Sequence, residues 1–145
     1  MQGELVITKC SVAGAAEDPN YRQAVRCGRH EMIVDERPAR GGADAGPMPF
    51  EYLLASLGAC TSITLRMYAE RKGWDIGAVG VSLSLRQDKE GTRTIERRVT
   101  LSGTLTAQQL EKLADICEKT PVTLAVKSGL SVRTTLEGSA PATPR

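Results

Sequence analysis

Met48-Pro-Phe-Glu-Tyr-Leu-Leu-Ala-Ser-Leu-Gly-Ala-Cys-Thr-Ser-Ile-Thr-Leu-Arg-Met-Tyr-Ala-Glu-Arg71 is the stretch on which the fold turns. It follows a loop rich in glycine and proline, Gly41-Gly42-Ala43-Asp44-Ala45-Gly46-Pro47. Pro49 suits the first helical position, where its missing N–H leaves no hydrogen bond unmade. Glu51 then falls in the first turn, where a carboxylate meets the positive end of the helix dipole. Residues 52–63 carry no formal charge on any side of the helical wheel, the pattern of a helix buried all round. That segment is too short to cross a membrane, which takes roughly 20 apolar residues. The stretch therefore reads as a long central core helix with Cys60 at its middle, ended near Lys72-Gly73 by a glycine cap.

Upstream of this helix, residues 5–12 are rich in β-branched side chains and read as a strand. Gly14 and Asp18-Pro19-Asn20 mark a loop. Two short strands follow at about 21–27 and 30–35, with Arg22 and Arg26 on one face of the first. Downstream, Val79, Val81, Leu83 and Leu85 alternate with small or polar residues. Asp88-Lys-Glu-Gly91 supplies a turn, and Ile95, Val99 and Leu101 continue the period of two through Arg97, giving a long antiparallel hairpin. Thr106-Ala-Gln-Gln109 is a capping box for a second helix, which Pro121 is expected to stop. Residues 130–136 read as a last strand. The expectation is one domain over residues 1–137, followed by a disordered small-residue tail at 138–145. Strands, then a helix, then more strands and a helix favour an α+β fold with helices on antiparallel sheets.

Composition excludes several classes. The chain has 145 residues, enough for a core without metal or disulfide staples. Its 19 basic and 17 acidic residues leave a formal charge of +2, too balanced for a phosphate-binding surface. One Phe, three Tyr and one Trp offer few platforms for stacking bases. Neither nucleic acid nor membrane is an expected partner, and Glu4 and Lys9 interrupt the first apolar run, so a cytoplasmic protein is expected. Cys10, Cys27, Cys60 and Cys117 are irregularly spaced and contain no C-x-x-C pair. In a reducing compartment they are expected as thiols. His30 has no second histidine or cysteine beside it in the sequence, so no metal or cofactor is expected.

The residues Gly46-Pro-Met-Pro-Phe-Glu-Tyr-Leu-Leu-Ala-Ser-Leu-Gly-Ala-Cys60 resemble the signature of the OsmC/Ohr family. The similarity extends through Thr64-Leu-Arg-Met-Tyr-Ala-Glu-Arg-Lys-Gly-Trp74, the hairpin and Thr120-Pro-Val-Thr123. The resemblance implies a small cytoplasmic α+β protein whose antiparallel sheets pack around a long central helix in an intertwined homodimer. It implies a peroxidase that reduces organic hydroperoxides or hydrogen peroxide in oxidative-stress defence and is recycled by an external dithiol. Cys60 matches the attacking cysteine. The family's second cysteine, which resolves the oxidised first one, stands immediately before the proline, where this chain has Thr120; Cys117 lies one turn earlier and is the candidate resolving residue if the helix end moves. The family's hydroperoxidases place glutamate directly after the helix-opening proline, whereas here Phe50 intervenes and Glu51 follows. The assisting arginine belongs to the N-terminal hairpin, where Arg22 is the nearest candidate and Arg26 lies behind it.

A peroxidatic cysteine attacks as a thiolate and becomes a sulfenic acid. A neighbouring arginine favours the thiolate, and a carboxylate can orient that arginine. Glu51 and Cys60 are nine residues apart, so a straight helix puts them on opposite sides and about 13 Å apart along its axis. Two helices packed antiparallel near Ala55-Ser56 would bring Glu51 of one chain level with Cys60 of the other, so a shared site is expected. The plain readings stand beside these. Cys60 can be a small core residue, Cys117 continues the apolar Leu110 and Leu113 face, Glu51 can serve the dipole alone, and Arg22 can be a solvated strand residue. A non-catalytic relative that binds an apolar small molecule in the dimer cleft, or that acts in stress protection, is the second hypothesis.

Overall fold

The computed structural model describes residues 3–139. Three strands, β1 (Cys10–Ala13), β2 (Gln23–Cys27) and β3 (His30–Val34), form an antiparallel meander in that order. A short 3-10 turn at Pro38–Arg40 leads to α1 (Pro49–Lys72). A second antiparallel sheet comprises β4 (Val79–Gln87) and β5 (Arg93–Leu101), and α2 (Ala107–Cys117) and α3 (Pro121–Ser128) complete the order. The α+β architecture expected from the sequence is the one observed.

Local chemistry explains the elements. Pro49 opens α1, Glu51 stands in its first turn, and Arg71 and Lys72 stand in its last. Gly73 closes it at φ 67°, a left-handed conformation, donating its N–H toward Ala69 O and Glu70 O. The β4–β5 register sets Val81 opposite Val99, Leu83 opposite Arg97 and Leu85 opposite Ile95. Thr106 caps α2, accepting from Gln109 N while the Gln109 side chain accepts from Thr106 N. The core joins Leu65, Ala69 and Ile76 to Leu113 and Cys117. Tyr68 and Trp74 pack edge to face beside it, their ring centroids 5.5 Å apart.

Several expectations need correction. Pro121 ends α2 but also occupies the first turn of α3, with Thr120 as its N-cap. A proline tolerated at a first helical position stops one helix and starts the next. The strand expected at 130–136 has no ladder among the described residues. Leu130, Val132 and Leu136 are exposed, because an extended segment becomes a strand only when a neighbour supplies hydrogen bonds. Residues 5–9 are likewise exposed, and β1 starts only at Cys10. The central helix is not buried all round: Leu57, Gly58, Thr61, Leu65 and Ala69 are buried, whereas Ile63 and Met67 are 54% and 60% exposed. The expected disordered tail falls, beyond residue 139, outside the described residues.

The expectation of four thiols is also overturned. Cys10 and Cys27 form a disulfide, and Cys60 and Cys117 are free. The β1–β2 register sets Cys10 directly opposite Cys27 with Cα atoms 4.4 Å apart, close to the spacing of a non-hydrogen-bonded antiparallel pair and within disulfide reach. No described helix is long and apolar enough to cross a membrane.

Candidate functional site

Two groups of polar residues surround α1. The first lies at its N-terminal end. Glu51 bonds to Arg37, whose Nε also reaches Met48 Sδ at 3.5 Å. The loop carrying Arg37 is organised by Asp35, a buried carboxylate that accepts from Glu36 N at 2.7 Å, Ala45 N at 3.1 Å and Ala43 N at 3.2 Å. The N–H groups of Ala45 and Glu36, more than the opposing effect of burial, hold the Asp35 carboxyl below its ordinary range. Arg22 contributes to Asp35 through its charge and does not pair with Glu51. Arg26 pairs with Glu31 across β2 and β3. Gly42 is required for this loop to close, since a Cβ there would lie 1.9 Å from Glu36 O.

Cys60 lies on the uncovered side of α1. It is half-buried, with Sγ 4.0 Å from Thr64 Oγ1. Leu53, Ser56, Cys60, Ile63 and Met67 recur at three- and four-residue spacing and share one face. Leu53, Ile63 and Met67 on that face are exposed. Cys117 instead packs into the core against the opposite, Leu65 and Ala69 face. Burial pushes its thiol above the usual range, and the nearby Arg97 charge offsets this only in part.

The second group centres on Arg97, whose side chain is 12% exposed. Its Nη1 donates to Thr61 Oγ1 at 2.9 Å and to Thr123 Oγ1 at 2.8 Å, and its Nη2 donates to Cys117 O at 2.9 Å. Thr120 is fully buried, with its Oγ1 2.6 Å from Thr123 Oγ1. The position expected to hold a second cysteine therefore belongs to a hydroxyl network tied to a buried guanidinium, which has no thiol to exchange. Arg97 carried a signal in the sequence: it interrupts the apolar face Ile95, Val99, Leu101. Arg37, beside Pro38 in an irregular loop, carried none.

Within one chain the structure pairs Glu51 with Arg37 and places Cys60 and Cys117 on different sides of α1, with Arg22 near Asp35. Among the described residues no group of three or more His, Cys, Asp or Glu is placed to hold a metal ion.

The fold has clear relatives among solved structures. An OsmC-like protein from Mycoplasma pneumoniae shares 15% identity, with 88% of this chain and 89% of that one covered at a TM-score of 0.70. An organic hydroperoxide resistance protein from Legionella pneumophila shares 17% over 86% and 92%, at 0.62. The organic hydroperoxide resistance protein OhrB of Bacillus subtilis shares 18% over 86% and 93%, at 0.56. At these identities the likeness establishes the fold. No curated protein matches the sequence. A family model described as OsmC-like protein matches residues 41–135, from the Gly41-Gly42 loop through the helix, the hairpin and the Arg97 network. That match spans more than half of the sequence, and the chain belongs to the OsmC-like family.

Proposed function

We propose that the protein is a thiol-dependent peroxidase that reduces organic hydroperoxides through Cys60, acting as a homodimer. The observation that carries this reading is the placement of a free, half-buried cysteine on an uncovered apolar face of α1, with an Arg37–Glu51 pair at the same helix's N-terminal end. Family membership and the hydroperoxide-resistance names of the Legionella and Bacillus relatives support a stress-related role.

The single chain is incomplete in ways that a second copy would remedy. The β1–β3 sheet has no extensive contact with α1, β4 or β5. Residues 5–9 and 130–136 are exposed and unladdered, and Arg133 donates to Glu4 Oε2 at 2.7 Å. Antiparallel pairing of two α1 helices would cover Leu53, Ile63 and Met67 and set the Arg37–Glu51 pair of one chain level with Cys60 of the other along the helix axis. The guanidinium would polarise the peroxide and favour the thiolate, while Glu51 fixes its orientation.

In the reaction, the Cys60 thiolate attacks one peroxide oxygen. An S–O bond forms, the O–O bond breaks, and the alkoxide leaves as alcohol after taking a proton. An external dithiol attacks the resulting sulfenic acid, expels water and forms a mixed disulfide, which its second thiol opens to return Cys60. Cys117 is assigned to packing in this cycle, because its sulfur lies in the core.

One equivalent of tert-butyl hydroperoxide added to the reduced protein, followed by sulfenate trapping and mass spectrometry, tests the reading. The expected product is sulfenate on Cys60 with peroxide consumed. A Cys60 that stays thiol while the peroxide persists would overturn it.

A further inference from the structure

Cys10, Cys27 and His30 stand side by side on three neighbouring strands. The register sets Cys27 directly opposite Cys10 on β1 and directly opposite His30 on β3. Directly opposed residues of an antiparallel sheet share a face and lie within side-chain reach. The row thus runs from the Cys10–Cys27 disulfide to an imidazole, with Cys27 in the middle. It is open to solvent: Cys10 and His30 are exposed, and Cys27 is half-buried. The turn Gly28-Arg29 closes this end of the hairpin, and a Cβ at Gly28 would meet nothing within 4 Å. Charge beside the row is mostly positive. Lys9 precedes Cys10 and Arg29 stands in the turn after Cys27, both exposed, whereas Arg26 is paired with Glu31.

Exchange with a thiol needs an accessible sulfur and a leaving sulfur whose charge is met. Cys10 is the more open to approach. Expulsion of Cys27 delivers a thiolate opposite His30, and histidine is the side chain that gives up protons near neutral pH. We infer that Cys10, Cys27 and His30 form a second thiol–disulfide exchange site, which takes electrons from a small thiol carrying carboxylates. The thiolate attacks Cys10 Sγ: a new S–S bond forms, the Cys10–Cys27 bond breaks, and Cys27 leaves with a proton from His30. A second thiolate attacks the small-molecule sulfur of the mixed disulfide and frees Cys10, which takes a proton from solvent. Two thiols are oxidised to one disulfide, and one bridge is reduced to two thiols. Cys60 takes no part, so the site goes beyond the peroxidase reading and does not rest on it.

The full chain carrying C60S, so that no other exposed thiol competes, tests the assignment. The oxidised protein is mixed with glutathione under argon, quenched with iodoacetamide at intervals and mapped by mass spectrometry. Glutathione is expected first on Cys10 with Cys27 alkylated, and later both cysteines alkylated. H30N should open the bridge roughly tenfold more slowly, the rate equivalent of one charge-assisted hydrogen bond. Per thiolate, 3-mercaptopropionate should react several-fold faster than cysteamine at low salt, and about 0.5 M NaCl should close that gap. Mixed disulfide confined to Cys27, or an H30N rate equal to that of the parent, would overturn the assigned roles. Equal rates for the two small thiols at low salt would overturn the anionic class. A bridge that resists glutathione in the native protein yet opens in urea would overturn the site altogether and leave a purely structural cross-link.

Discussion

Arg97 on β5 donates an N–H to Thr61 Oγ1 at 2.9 Å, and Thr61 is the residue next to Cys60. Thr61 Oγ1 in turn donates to Leu57 O at 2.7 Å, so the guanidinium and the helix backbone meet at one hydroxyl. The same guanidinium holds Thr123 at the start of α3 and the Cys117 carbonyl at the end of α2. One side chain thus sets the spacing of three helices and the sheet behind the face that carries the cysteine.

Replacing Arg97 by Met removes three hydrogen bonds and leaves two hydroxyls and a carbonyl without their donor. The expected loss is about 3 kcal/mol, in line with the breaking of a buried charged network. Urea unfolding at fixed protein concentration measures it. A loss under about 1 kcal/mol would show that the network relaxes without cost.

Asp35 predicts how the fold responds to acid. Its folded carboxyl titrates below the ordinary value of 3.8 because the Ala45, Glu36 and Ala43 N–H groups point at it. The unfolded chain takes up that proton first as pH falls. The carboxylate's contribution is therefore fully present above about 3.8 and disappears as pH drops through the lower folded value. Asp35→Asn should destabilise the protein at pH 7, and its deficit should shrink below pH 4. A deficit of constant size across that window would remove the charge from the explanation.

Cys117 should behave as a packed thiol. Burial raises its titration and its sulfur lies against Leu113 and Leu65, so iodoacetamide in native buffer should label Cys60 and spare Cys117 until denaturant is added. C117S should still form sulfenate on Cys60 and still turn over with an external dithiol. Turnover that stops in C117S while sulfenate accumulates would restore Cys117 as the resolving residue.

The Cys10–Cys27 bridge closes a sequence separation of 17 residues, a loop whose restriction in the unfolded chain is worth about 3 kcal/mol in the chain-entropy treatment. C10S/C27S should lose up to that amount, with hydrogen exchange accelerating first in β1 and β2. Unchanged exchange there would mean that contacts other than the bridge hold the strands.

Much of this arrangement was legible in local chemistry. Pro49, Glu51 and Gly73 bracket α1, the Thr106–Gln109 box opens α2, and alternation from Val79 to Leu101 describes the hairpin. What escaped depends on register and on partners. The Cys10–Cys27 pairing exists only once the loop between them aligns β1 on β2, and the ladder expected at 130–136 has no neighbour among the described residues. Arg37 reaches Glu51 through a loop shaped by Asp35, which no periodicity describes, so Arg22 stood out instead. Pro121 carried two meanings, stop and start, and only the presence of Thr120 as a cap distinguishes the second.

A site shared between two chains, as proposed, has a test that depends on who supplies which residue. Let one chain carry C60S and the other E51Q, co-expressed with different tags so that mixed dimers can be purified. If Cys60 of each chain works with Glu51 of its partner, the mixed dimer contains one site with both lesions and one site with neither. Its peroxide turnover should then recover to about half the wild-type value per dimer, while each homodimer stays impaired. If each chain used its own Glu51, every site in the mixed dimer would carry one lesion and no recovery would occur. Glu51 and Cys60 lie about 13 Å apart along a continuous helix, on opposite sides of it, so they do not meet within one chain's helix, and recovery is the outcome expected of a site completed by the partner.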